Sequence, residues 1–203
     1  MKITSIVQQQ GRKDRFSVHV DDEYRFSLSQ NQLTDSGLRT GDELTIDQLN
    51  QLMQQSELGK ALDKAYHFLS YRSRSRHEVA VHLRGKHYDS DMVDQVIDQL
   101  EVQDLLSDLR FAGEWIANRQ LLDPRSRMEL KAELRQKGIG SAVVEEALAT
   151  VSAGDELEAL ETLIAKKNLR RRYPDERKLW HYLSTKGYSP HTIRGAIKTD
   201  ESD

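Results

Sequence analysis

Three short basic clusters recur along this chain, Arg72-Arg74-Arg76, Arg125-Arg127 and Arg170-Arg171-Arg172, and each is followed downstream by a lysine, Lys86, Lys137 and Lys186. Guanidinium and ammonium groups in a repeated register can track a regular polyanion or an acidic protein surface. Such contacts to phosphates are salt-sensitive and blind to base sequence. A solubilising loop, with a lysine favoured by the negative end of a helix dipole, explains any single one of these residues as well. Three copies in register favour a shared task, and these cations are the candidate residues for binding a polyanion such as DNA or an acidic protein surface.

No other spacing meets the needs of catalysis. His77, Glu78 and His82 resemble a zinc-protease helix, but the histidines are five residues apart, which places the second about 140° round the helix from the first, too far to share a metal. None of the 11 glycines sits in the phosphate-cradling pattern G-x-x-x-x-G-K-[ST]. Carboxylate pairs such as Asp91 and Asp94 fall on acidic helix faces, where solvation is their ordinary role. With 0 cysteines, thiolate metal sites and thiol nucleophiles are excluded. The expectation is a protein that is not an enzyme and uses no metal or cofactor. The aromatics Phe68, Phe111, Trp115 and Trp180 fit apolar core stripes.

The composition suits a thin, helix-rich molecule: 203 residues, 37% apolar, 31% charged, with a mean hydropathy of -0.71. Net charge is -3 and pI about 6.2, well short of the value above about 9 expected of a domain that lives on naked nucleic acid. No apolar run approaches the roughly 20 residues of a membrane span, and the opening MKITSIVQQQGRKDR lacks a signal peptide's apolar core. A soluble, cytoplasmic monomer is expected.

The elements that position the basic residues follow from an internal repeat. Anchored on Leu83, Leu134 and Leu183, three segments superimpose. Eight residues upstream of the anchors stand the N-caps Ser75, Ser126 and Asp175, the first two followed by Glu78 and Glu129 in capping boxes. Val79, Leu130 and Leu179 lie one turn before the anchors, on the same face. After each anchor come Lys86-His87-Tyr88, Lys137-Gly138-Ile139 and Lys186-Gly187-Tyr188, where glycine can take the left-handed conformation that closes a helix. Another helix then begins near Asp89 or Ser90, at Ser141, and at Ser189-Pro190. A further amphipathic helix precedes each N-cap, so each unit is a three-helix module, and consecutive modules are expected to bury their stripes against one another.

The first 45 residues alternate with the period of half-buried strands: Ile3-Ser5-Val7, Phe16-Val18-Val20 and Tyr24-Phe26-Leu28, with a hairpin turn at Asp21-Asp22-Glu23. Asp47 is the expected N-cap of a long helix. The fold class read from this is mainly α: three tandem three-helix repeats forming an elongated curved array, behind a small β-rich domain. The boundaries read as 1–45 for the β-rich domain, 46–106 for the long entry helix and repeat 1, 107–154 for repeat 2, 155–199 for repeat 3, and 200–203 for an acidic tail.

The stretch SRSRHEVAVHLRGKHYDSDMVDQVIDQLEVQDLLSDLRFAGEWI and the segment PRSRMELKAELRQKGI resemble the RecX family of bacterial regulatory proteins. The shared marks are a Ser-Arg-x-Glu-Leu helix start, a Leu-x-x-Lys-Gly ending, a Val-Ile/Leu pair and the junction Leu105-Leu106-Ser107-Asp108-Leu109-Arg110-Phe111-Ala112. The likeness is good over about 58–150 and looser in the third module. Val79 and His87 depart from the usual Leu and Gly, and Lys178 replaces the capping-box Glu. The resemblance implies a protein that docks along the groove of the RecA–single-stranded-DNA filament. There it would hinder extension or promote disassembly, and lower ATPase and strand exchange, modulating recombination, DNA repair and the SOS response; a weak direct contact with DNA is compatible with it. The alternative drawn from the same arginines is a general nucleic-acid-binding helical repeat protein.

Overall fold

The computed structural model describes residues 1–198; Thr199 and the expected acidic tail 200–203 lie outside the described residues. Three strands, β1 (Ile3–Gln8), β2 (Arg15–Val20) and β3 (Glu23–Ser29), precede α1 (Gln30–Ser36), α2 (Ile46–Leu69), α3 (Arg76–Arg84) and α4 (Ser90–Val102). Then follow α5 (Asp108–Leu122), α6 (Arg127–Gln136), α7 (Ser141–Ala149), α8 (Ala153–Lys166), α9 (Leu169–Arg172), α10 (Glu176–Thr185) and α11 (Pro190–Lys198). The chain forms two compact units, Met1–Arg72 with Ala80–Leu100, and Ser73–Val79 with the described residues from Glu101 onward.

In the first unit the sheet is antiparallel in the order β1-β2-β3. Asp21 and Asp22, at φ 51° and 66°, make the hairpin turn, which needs two left-handed residues to match the strand twist. Ile3, Val18, Val20, Phe26 and Leu28 form the core with Leu44 and with Leu49 and Leu52 of α2. The expected alternation of β1 changes phase at a register shift between Ile3 and Ser5. Ile6 therefore packs on the core, while Val7 is 53% exposed.

A buried arginine, invisible to the apolar pattern, ties sheet to helix. Arg15 donates to Asp63 of α2 at 2.7 Å and to the Ser27 carbonyl at 3.0 Å; Ser56 of α2 donates to that carbonyl at 2.6 Å. The N-cap of α2 lies two residues before the expected Asp47, because Thr45 and Gln48 form the capping box. The sequence reading also missed α1, whose capping box is Ser29 and Gln32 and whose end is Gly37 at φ 63°. In the same unit Leu83, Val93, Val96, Ile97 and Leu100 are buried, and Asp89 caps α4 by accepting from Met92 N at 2.8 Å.

The second unit holds two complete modules, α5-α6-α7 and α8-α10-α11. Their cores are separate. One gathers Phe111, Ile116, Leu130, Leu134, Val144 and Leu148, the other Leu160, Leu163, Leu179, Leu183, Tyr188 and Ile193. The expectation that neighbouring modules bury their stripes against one another is corrected here: each of these three-helix sets closes on its own leucines. The N-cap of α7 is Gly140, without a side-chain cap, so Ser141 is the first helical residue. The cluster Arg170-Arg171-Arg172, expected in a loop, forms the short helix α9.

Candidate interaction surface

The capping boxes do two tasks at once. Ser75 Oγ accepts from Glu78 N at 3.1 Å to cap α3 and donates to the carbonyl of Lys137, at the end of α6, at 2.7 Å. Ser126 Oγ accepts from Glu129 N at 3.2 Å to cap α6 and donates to the carbonyl of Lys186, at the end of α10, at 2.5 Å. Each hydroxyl thus satisfies an orphan amide of its own helix and an orphan carbonyl of the next, which is why both serines are fully buried.

The charges repeat the pattern. Lys137 Nζ lies 3.0 Å from Glu78, and Lys186 Nζ lies 3.4 Å from Glu129. The glycine after each lysine is left-handed, Gly138 at φ 78° and Gly187 at φ 87°. A Cβ on Gly138 would stand 2.3 Å from His77 Cβ, and one on Gly187 would stand 2.6 Å from Met128 Cβ. Only glycine lets the two backbones approach this closely. The seam is a code of four positions: a serine N-cap and a Glu three residues on, set against a lysine and a left-handed glycine.

Most of the candidate binding residues are committed to such bonds. Lys137 and Lys186 belong to the seams. Arg76 reaches Glu101 through two contacts of 2.8 Å, and Arg127 donates to the Val151 carbonyl at 3.1 Å; both join the start of a module's second helix to the end of its third. Arg125 is half-buried, 2.5 Å from Asp123 and 3.6 Å from Glu129 and Glu133, and Arg74 in the corresponding place is also half-buried. Arg170 donates to the Ala196 carbonyl of α11 at 2.9 Å. Arg172 lies over the Tyr173 ring, 5.7 Å from its centroid.

Arg72, Lys86, Arg171 and Arg172 are exposed. The repeated register of Arg76, Arg127, Lys137 and Lys186 therefore has an architectural cause.

Trp115 serves one of these seams as well. Trp115 Nε1 donates to Glu133 at 2.8 Å, and its ring lies 4.9 Å from both the Arg119 guanidinium and the Lys137 ammonium. Phe111 is buried, and Trp115 and Trp180 pack partly buried on their module cores. Asp123 meets Arg125, Arg119 and Lys167. Burial pushes its carboxyl up, but Arg125, Lys167 and Arg119 outweigh that and hold it below its ordinary value. The buried Tyr188 hydroxyl has no hydrogen-bond partner among the described residues. Burial first, and then Glu129 and Glu156, push this phenol well above the ordinary tyrosine value.

The two histidines of the apparent metal motif serve different purposes. His77 packs at the Gly138 seam, and the His82 ring stacks on Phe68 at 4.1 Å. Among the described residues no group of His, Asp and Glu is arranged to hold a metal, and no helix is long and apolar enough to cross a membrane.

Fold and seams together define a tandem helical-repeat protein behind a small β-domain. Residues 1–45 match the model described as "Regulatory protein RecX N-terminal domain", 61–100 match "RecX, first three-helix domain", and 107–148 match "RecX, second three-helix domain". The chain belongs to the RecX family of regulatory proteins. It is 30% identical to the regulatory protein RecX of Halalkalibacterium halodurans, over 99% of this chain and 80% of that one. It is also 30% identical to that of Clostridium acetobutylicum, over 97% of this chain and 94% of the other. Among solved structures, a crystal structure of regulatory protein RecX shares 27% identity at a TM-score of 0.79, covering 95% of this chain and 97% of that chain. RecX from Lactobacillus salivarius shares 28% at a TM-score of 0.63, covering 70% and 94%.

Proposed function

We propose that this chain binds the filament formed by the RecA recombinase on single-stranded DNA, along its groove, and restrains its extension, ATPase and strand exchange. It would thereby modulate recombination and DNA repair, including the SOS response, as a cytoplasmic monomer without catalysis of its own. Its modules would run 46–106, 107–154 and 155–199 behind a β-rich domain of 1–45.

The division of the cations supports this reading. With most of the arginines and lysines of the repeat held in helix-end bonds, the positive charge left to a partner is sparse, on a chain of net charge -3. Sparse charge suits a protein-coated polyanion, where protein surface supplies the other contacts. It suits naked DNA poorly, because affinity there grows with the number of phosphates neutralised. Contacts with several filament subunits would add through avidity.

The test is the single-stranded-DNA-dependent ATPase of RecA, with and without the chain, beside a titration of bare single-stranded DNA. Inhibition at or below equimolar chain and weak binding to bare DNA are expected. No inhibition would refute the proposal, and equal affinity for bare DNA and filament would favour a general nucleic-acid binder. Within the proposed site, Arg171→Glu with Arg172→Glu should weaken inhibition while leaving thermal unfolding unchanged. Arg170→Glu should also lower stability, since it strips a partner from the end of α11.

A further inference from the structure

The seam code is complete at two places and altered at two. Module one carries the receiving half, the helix end Lys86-His87-Tyr88, with Lys86 and His87 exposed. Module three carries the inserting half, the helix start Asp175-Glu176-Arg177-Lys178, with all four residues exposed. Ser75 and Ser126, in the same place as Asp175, are fully buried. These are the two faces on which no further module sits among the described residues, and they are also where the sequence abandons the code.

We propose that these two faces are built to refuse each other, so that a second copy of the chain cannot add head to tail. Each of the four positions contributes. In a seam, the N-cap hydroxyl donates to the lysine carbonyl; Asp175 offers a carboxylate, which has no proton to give and would face that carbonyl as a second acceptor. The box position that carries Glu78 and Glu129 carries Lys178 here, and Lys178 would meet Lys86, so attraction becomes repulsion. The left-handed residue is His87, at φ 67°.

His87 has the Cβ that Gly138 and Gly187 lack, and it would point at the side chain of Arg177, the counterpart of His77 and Met128. A left-handed histidine is tolerated where nothing packs against it and excluded where a helix start must come within 2.3 to 2.6 Å of that Cβ position. Complementary halves on one chain would give a heterologous contact that does not close on itself, the geometry that grows filaments of the protein alone. Alterations confined to the two open faces prevent it, much as an edge strand is protected by a charge.

The test restores one half at a time in the full chain and mixes the products. One variant carries His87→Gly; the other carries Asp175→Ser with Lys178→Glu. Sedimentation velocity should show the wild type and each variant alone as single chains, and the equimolar mixture as a species of twice the mass. Adding Lys86→Glu to the first variant should return the mixture to single chains. Thermal melting guards against misfolding, because glycine relieves a left-handed residue and the second variant installs a full capping box, so both should melt no lower than the wild type. The proposal is overturned if both variants are folded and their mixture stays monomeric. It is equally overturned if the wild type already pairs and Lys86→Glu abolishes that pairing.

Discussion

Replacing Gly138 by alanine puts the seam under the most direct stress, and the cost can be worked from the geometry of the contact. The new Cβ would lie 2.3 Å from His77 Cβ and 2.4 Å from His77 Cγ, against a comfortable carbon–carbon separation of about 3.5 Å. His77 Cβ is fixed to its backbone and cannot swing aside, so the helices must part by about 1 Å. That opens the Ser75–Lys137 hydrogen bond from 2.7 Å to beyond useful length, a loss of about 1 kcal/mol, and weakens the Lys137–Glu78 pair by up to about 1 kcal/mol.

The left-handed conformation at φ 78° costs alanine about 1 kcal/mol more, giving about 3 kcal/mol in all. In a His77→Gly background the clash disappears and only the conformational part remains, so the double-mutant cycle should show a coupling of about 1–2 kcal/mol. Urea unfolding followed by Trp115 fluorescence reads it, with Trp180→Phe making that indole, 4.9 Å from Lys137 Nζ, the sole reporter. Gly113, in the middle of α5, is the control, because a Cβ added there would meet nothing within 4 Å; Gly113→Ala should stabilise by about 0.5–1 kcal/mol. An equal cost for Gly138→Ala in both His77 backgrounds would refute the claim that helix approach demands the glycine.

Two further outcomes follow from the same polar joints. Glu78→Gln keeps an acceptor for the Ser75 amide and removes the charge opposite Lys137, and the pair is only partly exposed, with the lysine and glutamate side chains at 27% and 17%. It should cost about 0.5–1 kcal/mol at low salt and less near 1 M, measured by urea unfolding at the two ionic strengths. Tyr188→Phe removes a buried hydroxyl that has no partner among the described residues and should stabilise by about 1 kcal/mol; a loss of that size instead would show the hydroxyl to be hydrogen-bonded in solution. The folded phenol sits above its ordinary value of 10.0, so the stability tied to its neutral form is whole below pH 10 and is lost as pH rises from there toward the folded value. Stability curves of wild type and Tyr188→Phe should therefore diverge above pH 10, with the wild type falling faster.

Much was legible in the residues alone, because it depends on near neighbours. Capping boxes act over three residues, leucine stripes over one helical turn, and strand alternation over two, so Ser75, Ser126, Leu83, Leu134, Leu183 and the Val18-Val20 alternation announced their elements directly. What escaped depends on partners far along the chain. The burial of Arg15 against Asp63, the phase change of β1 at its register shift and the closing of the second and third modules on their own cores depend on what packs opposite.

The basic register is the instructive case. Counting cations in repeated positions could not tell a docking ladder from a structural one, because a lysine side chain reads the same whether it faces solvent or a glutamate 59 residues away, as Lys137 does. The departures at His87 and Lys178 were visible as letters, yet they acquired meaning only when folding showed which faces touch. Sequence by itself determined the repeated leucine stripes, the caps at Ser75, Ser126 and Asp175, and the family. Tertiary structure decided which charges hold the modules together, since an ion pair is set by distance in space and the chain's order records only distance along itself.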